Sequence, residues 1–167
     1  MKISSKGDYA LRTILALALR VEDKSPVRLP EIAKDNNIPV KFLEQIMIQL
    51  KGAGFVTSRR GRHGGYLLAR EPGRISLGEV IRLIDGPVAP VGCLSSSDYN
   101  ACTQESQCVL KKVFHDIHAR IGEIIDNITF RDLCDMVPGN GQQGKEQEGG
   151  RILARITAPP LNTMNSP

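Results

Sequence analysis

Apolar residues along positions 8–21 fall at Tyr9, Ala10, Leu11, Ile14, Leu15, Leu17, Ala18 and Val21, wrapping most of a helix circumference and predicting a buried core helix. The polar stretch 22–26 ends it. Residues 29–35 predict a short second helix, Asn36 and Asn37 a turn that tolerates left-handed backbone, and Pro39 the start of a third helix. In that third helix Leu43, Ile46, Met47 and Leu50 recur at i, i+3, i+4 and i+7, and Gly52-Ala53-Gly54 suits its end. Residues 55–58 and 66–69 predict two short strands around Arg59-Arg60-Gly61-Arg62-His63-Gly64-Gly65, a basic hairpin loop rich in residues that accept positive φ.

Ser76 and Glu79 form a capping box before Leu77, Val80, Ile81 and Ile84, and Gly86-Pro87 terminates that helix. Residues 88–107 have no sustained period and read as a loop of about twenty residues, a length that marks functional or disordered segments. From 109 to 128, Leu110, Phe114, Ile117, Ile121, Ile124 and Ile128 alternate in steps of four and three, the seam spacing of a helix that seeks a partner. Thr129 and Asp132 cap a last short helix with Phe130, Leu133 and Val137 on its buried side. Residues 138–167 turn to Gly, Gln, Pro and Asn and predict a disordered tail, since too few apolar groups remain to offset ordering entropy. The fold class is therefore mainly α with a small β-hairpin wing.

The chain has 167 residues, one domain's worth, and with 41% apolar and 4% aromatic residues and no Trp its core must be aliphatic. Charge sharpens the division by position. Residues 1–74 hold 14 Lys/Arg against 7 Asp/Glu, while residues 75–137 hold 5 against 9, so a basic first half faces an acidic second. That asymmetry points to a polyanion partner for the first half. The run Ile14–Leu19 is too short for a secretory core of about 7 to 15 apolar residues, and nothing approaches the roughly 20 of a membrane span. A cytoplasmic protein with no membrane partner is expected, and its four cysteines then suggest metal or redox chemistry over disulfides.

Helix, turn, helix and basic hairpin follow in the order of a winged helix-turn-helix. Ala33 lets the two helices cross closely, Ile38 plugs the turn, and Lys41, Glu44 and Gln45 are left outward near the start of the third helix. There Gln can pair with adenine, Glu can accept from cytosine, and Lys can reach guanine or phosphate. Three polar residues alone more often make a solvated face. The balance moves because Arg59, Arg60 and Arg62 among glycines can approach phosphates or a narrow minor groove. The glycines form no phosphate-binding P-loop, lacking the Gly-Lys-Ser/Thr ending.

The cysteines carry the second piece of chemistry. Cys93, Cys102 and Cys108 are separated by eight and five residues, and three soft thiolates on one flexible segment can converge on an iron cluster. Zinc is a further option, although its structural sites favour tighter spacings, and three unrelated loop cysteines are the plain alternative.

Met1 to Arg12, Phe42 to Ile46, Arg60 to Leu68, Ile75 to Ile81 and Asn127 to Leu133 resemble the opening, recognition helix, wing and later segments of the Rrf-two family of bacterial winged-helix regulators. The resemblance covers residues 1–137 and is to the IscR, NsrR and RirA types. It implies a homodimer built on the long helix, a roughly palindromic DNA operator, and an iron-sulfur cluster of two or four irons on Cys93, Cys102 and Cys108. In the IscR pattern a His three positions after the last loop cysteine completes the site, but Lys111 stands there. In the NsrR pattern an acid on the first helix of the other subunit does so, and Asp8 matches it; Asp8 is equally an acid favoured by the helix dipole. His115 and His118 read as interface or surface residues, and Cys134 as a small core residue.

The organisation expected is a winged helix-turn-helix over residues 1–86, a cysteine loop over 87–108, a dimerisation helix and short last helix over 109–137, and the tail. The function expected is a transcription regulator whose operator affinity follows a cluster that senses nitric oxide, iron or redox state. The alternative is a cluster-free, CymR-like regulator responding to thiols or a protein partner. An enzyme is not expected, because there is neither a Cys-x-x-Cys motif nor a His/carboxylate constellation.

Overall fold

The computed structural model describes residues 3–95 and 99–138. The predicted tail therefore lies, apart from Pro138, outside the described residues. In chain order the elements are α1 (Ser5–Ala18), α2 (Leu29–Asp35), α3 (Val40–Gly52), β1 (Val56–Arg59), β2 (Gly65–Leu68), α4 (Leu77–Asp85), α5 (Val109–Asn127) and α6 (Phe130–Asp135), with short 3-10 turns at Pro72–Arg74, Gly92–Leu94 and Glu105–Gln107.

Helix α1 is the central element, packed against α3, α4, α6 and β2. It begins and ends three residues before the predicted span, because Ser4 caps it by accepting from the Gly7 N–H. Asp85, at the end of α4, holds that cap by accepting from the Ser4 N–H at 2.9 Å and from its hydroxyl. Val21 consequently lies in the turn after α1 and not on the helix. Ala10, Ile14, Leu17 and Ala18 of α1 meet Leu43, Ile46, Met47 and Leu50 of α3, Val80 of α4, and Phe130 and Cys134 of α6 in one core. Each large aliphatic side chain buried there contributes about 1.5–3 kcal/mol. Thr13 is fully buried among them and satisfies its hydroxyl on the Tyr9 carbonyl at 2.7 Å.

The Asn37 backbone is left-handed, as the turn requires, and Ile38 and Ala33 are both buried beneath it. The hairpin pairs Val56 with Leu68 through Arg59 with Gly65. On its other edge β2 is bridged by Val27, whose N–H and carbonyl both bond Tyr66, at 2.9 and 2.8 Å.

Ser76 and Thr129 each complete a capping box, and the two starts are joined because the Leu77 N–H donates to Ile128 and the Phe130 N–H to Ile75. Val137, predicted on the buried side of α6, falls beyond its end. Along α5, Ile121 and Ile125 turn inward against Ile81 and Val88, and Arg82 of α4 forms a two-pronged pair with Asp126. The first half of α5 is uncovered, with Val109, Leu110, Val113 and Ile117 exposed.

Candidate nucleic-acid interface and cysteine loop

Burial of Leu43, Ile46, Met47 and Leu50 forces Lys41, Glu44 and Gln45 to the outer face of α3, where all three are exposed. Ile48, at i+7 from Lys41, completes that face with 65% of its surface exposed. Its apolar side chain carries no polar signal in the sequence, although the i+7 spacing from Lys41 places it on that face. The helix starts at Pro39 without a side-chain cap and without an acid in its first turn, leaving free N–H groups of the kind that meet phosphates. Phe42 is braced edge-on against Tyr9 of α1, ring centres 5.8 Å apart.

Beside α3 the wing presents Arg59 at the end of β1 and Arg60 and Arg62 in its loop, all exposed. Gly61 turns that loop at φ +107°, which side chains resist. Among the described residues no carboxylate pairs with Lys41, Arg59, Arg60 or Arg62. Two bonds fix the wing relative to the helices: Arg28 donates to the Arg62 carbonyl at 2.7 Å, and Lys51 at the end of α3 donates to the Ser58 hydroxyl at 2.7 Å. Gly65 lies so close to the Val27 backbone that a Cβ there would sit 2.5 Å from its carbonyl oxygen. Neither Arg28 nor Val27 stands out in the sequence, because the Arg28 guanidinium reaches a main-chain carbonyl and Val27 uses its own main chain, both on partners distant in the chain.

All four cysteines are free thiols. Cys93 sits in the 3-10 turn after α4, Cys102 is exposed, and Cys108 is the residue from which α5 starts. Among the described residues no three His, Cys, Asp or Glu side chains are grouped to hold a metal ion. Asp8, in the first turn of α1, is half exposed and paired with Arg12 one turn on, at 3.0 Å. His118 bonds the Val88 carbonyl through Nδ1 at 2.8 Å, tying the loop's root to α5, while His115 is exposed beside Asp116. Cys134 is buried in the core, and that burial pushes its thiol up. No helix among the described residues is long and apolar enough to cross a membrane.

The family described as Rrf2, iron-dependent transcriptional regulator, matches residues 3–136. An rrf2-like HTH-type transcriptional regulator of Rhodobacter capsulatus is 40% identical, covering 78% of this chain and 91% of the relative. The HTH-type transcriptional regulator IscR of Vibrio vulnificus is 37% identical, covering 80% and 77%. The solved structure of CymR, the global cysteine regulator of Bacillus subtilis, superposes with a TM-score of 0.71 at 34% identity, covering 82% of this chain and 98% of that one. These relatives are regulators and not enzymes. With the outward face of α3, the exposed arginines of the wing and this match along most of its length, the chain belongs to the Rrf2 (Rrf-two) family of winged helix-turn-helix, DNA-binding transcription regulators.

Proposed function

We propose that the chain acts in the cytoplasm as a homodimer on a roughly palindromic operator, with an affinity set by an iron-sulfur cluster on Cys93, Cys102 and Cys108. The observation that carries this reading is that all three thiols are free and unburied on the one segment that leaves the winged head at α4 and starts the long helix α5. Their chemistry suits the group: soft sulfur donors on a segment whose regular structure, among the described residues, is two single 3-10 turns. When bound, the cluster supplies a redox-active and chemically labile centre.

The chain's own residues do the rest. Lys41, Glu44, Gln45 and Ile48 read base edges, and Arg59, Arg60 and Arg62 hold phosphates or the minor groove. The exposed apolar half of α5 pairs with that of a second copy, setting two α3 helices about one helical turn of DNA, or a multiple of it, apart. Asp8 of that second copy fills the position left open beside the three thiolates, sharing its carboxylate with Arg12. Since loop and head are joined at α4, a ligand that favours one arrangement of the heads must change operator affinity by the same coupling energy.

Operator titration tests this. Anaerobically purified protein and the same protein stripped of iron should differ by tenfold or more in operator affinity, as a coupling of about 1.4 kcal/mol or more requires. Equal affinities would defeat the linkage. A second reading, a cluster-free regulator responding to thiols, is favoured by the likeness to CymR, described as a cysteine regulator. It predicts that a thiol oxidant alters DNA binding of the iron-free chain.

A further inference from the structure

One acidic residue bridges the cysteine segment to the first turn of α5. The Glu105 carboxylate accepts from the Tyr99 hydroxyl at 2.6 Å and pairs with the Lys111 ammonium. Its own backbone reaches two cysteines: its N–H donates to the Cys102 carbonyl at 3.1 Å, and its carbonyl accepts from the Cys108 N–H at 3.5 Å. Lys111 belongs to the first turn of α5, and Cys108 is the residue before it. Cys93 lies on a 3-10 turn packed against α5. The carboxylate is sheltered, with 20% of the side chain exposed.

We propose that Glu105 is the positioning residue of the cysteine segment: its carboxylate ties Tyr99 to Lys111 and so holds the turn that its own main chain shares with Cys102 and Cys108. It fastens these two cysteines to the start of α5 before any ligand arrives. A segment of this length would otherwise lose conformational freedom at the moment of binding, so prior ordering strengthens whatever it binds. The same contacts make the first turn of α5 part of the site, so a change at the thiols is felt by the helix proposed as the dimer seam. The consequence for iron rests on the cluster reading; the positioning itself does not.

The test uses the full, reduced, iron-free chain. Amide hydrogen exchange is followed at Cys108, with iodoacetamide labelling of each cysteine read by peptide mass. Glu105→Ala should speed exchange at that amide and labelling of Cys102 and Cys108 by about tenfold, since loss of the charge-assisted network loosens the turn that holds them. Glu105→Gln keeps an acceptor for Tyr99 and should fall between. Labelling of buried Cys134 should not change, which shows that the fold is intact. If exchange and labelling in Glu105→Ala match those of the unmodified chain, the proposal is overturned. If they respond while the unmodified chain takes up no iron or sulfide, Glu105 keeps its role and the cluster reading alone falls.

Discussion

Replacing Ile117 by Asp should split the proposed dimer while leaving each chain folded. Ile117 is 42% exposed on the outer half of α5, in line with Leu110 at 66% and Val113 at 51%. Burying a whole Ile side chain is worth about 1.5–3 kcal/mol, so covering its exposed part contributes about 1 kcal/mol per copy. An unpaired carboxylate in that seam costs at least about 2 kcal/mol more. A two-fold interface contains the residue twice, giving about 6 kcal/mol per dimer, or roughly four decades in Kd. Sedimentation should then show a monomer at micromolar concentration with an unchanged helical circular dichroism spectrum, and operator binding should fall with it. Ile121 would be a poorer choice despite its place in the heptad pattern, because it packs against α4 of its own chain. A stable Ile117→Asp dimer, or a monomeric unmodified chain, would refute the reasoning.

Arg60→Ala should weaken binding to matched and scrambled operators alike, whereas Glu44→Ala should mainly alter base preference, as titrations on both DNAs would reveal. Gly65→Ala should cost about 1–3 kcal/mol in thermal unfolding and lower DNA affinity, because the added Cβ pushes the wing from Val27. Unchanged melting would show that the backbone yields without strain. Burial raises the Cys134 thiol, so the fold favours its neutral form; this contribution is complete below the ordinary thiol pKa of about 8.5 and is lost as pH rises through the raised value. At pH about 8.5 iodoacetamide should therefore label Cys134 well after the loop thiols, and equal rates would contradict its burial.

Local signals carried most of the fold. The capping boxes at Ser76 and Thr129, the left-handed Asn37 and the i, i+3, i+4, i+7 face of α3 depend on residues a few positions apart, and each is found where the pattern put it. What escaped depends on distant partners. The start of α1 moves because Asp85 supports Ser4 across 81 positions, and Thr13 enters the core because a backbone carbonyl satisfies its hydroxyl. The heptad spacing of α5 could not tell that Ile121 faces α4 while Val113 faces outward, since both choices suit one amphipathic helix. At the site, the three cysteines were visible as a spacing, but the Tyr99–Glu105–Lys111 network among them was not, as acid, base and phenol are scattered over a segment without period.

The proposed cluster is tested most directly by counting iron and acid-labile sulfide in the anaerobically purified chain, beside Cys102→Ala. A coloured protein with equal iron and sulfide, about two or four of each per chain, and a colourless Cys102→Ala variant are predicted. A colourless unmodified protein without sulfide, or a variant that keeps the full complement, would contradict the assignment of Cys93, Cys102 and Cys108 as its anchors.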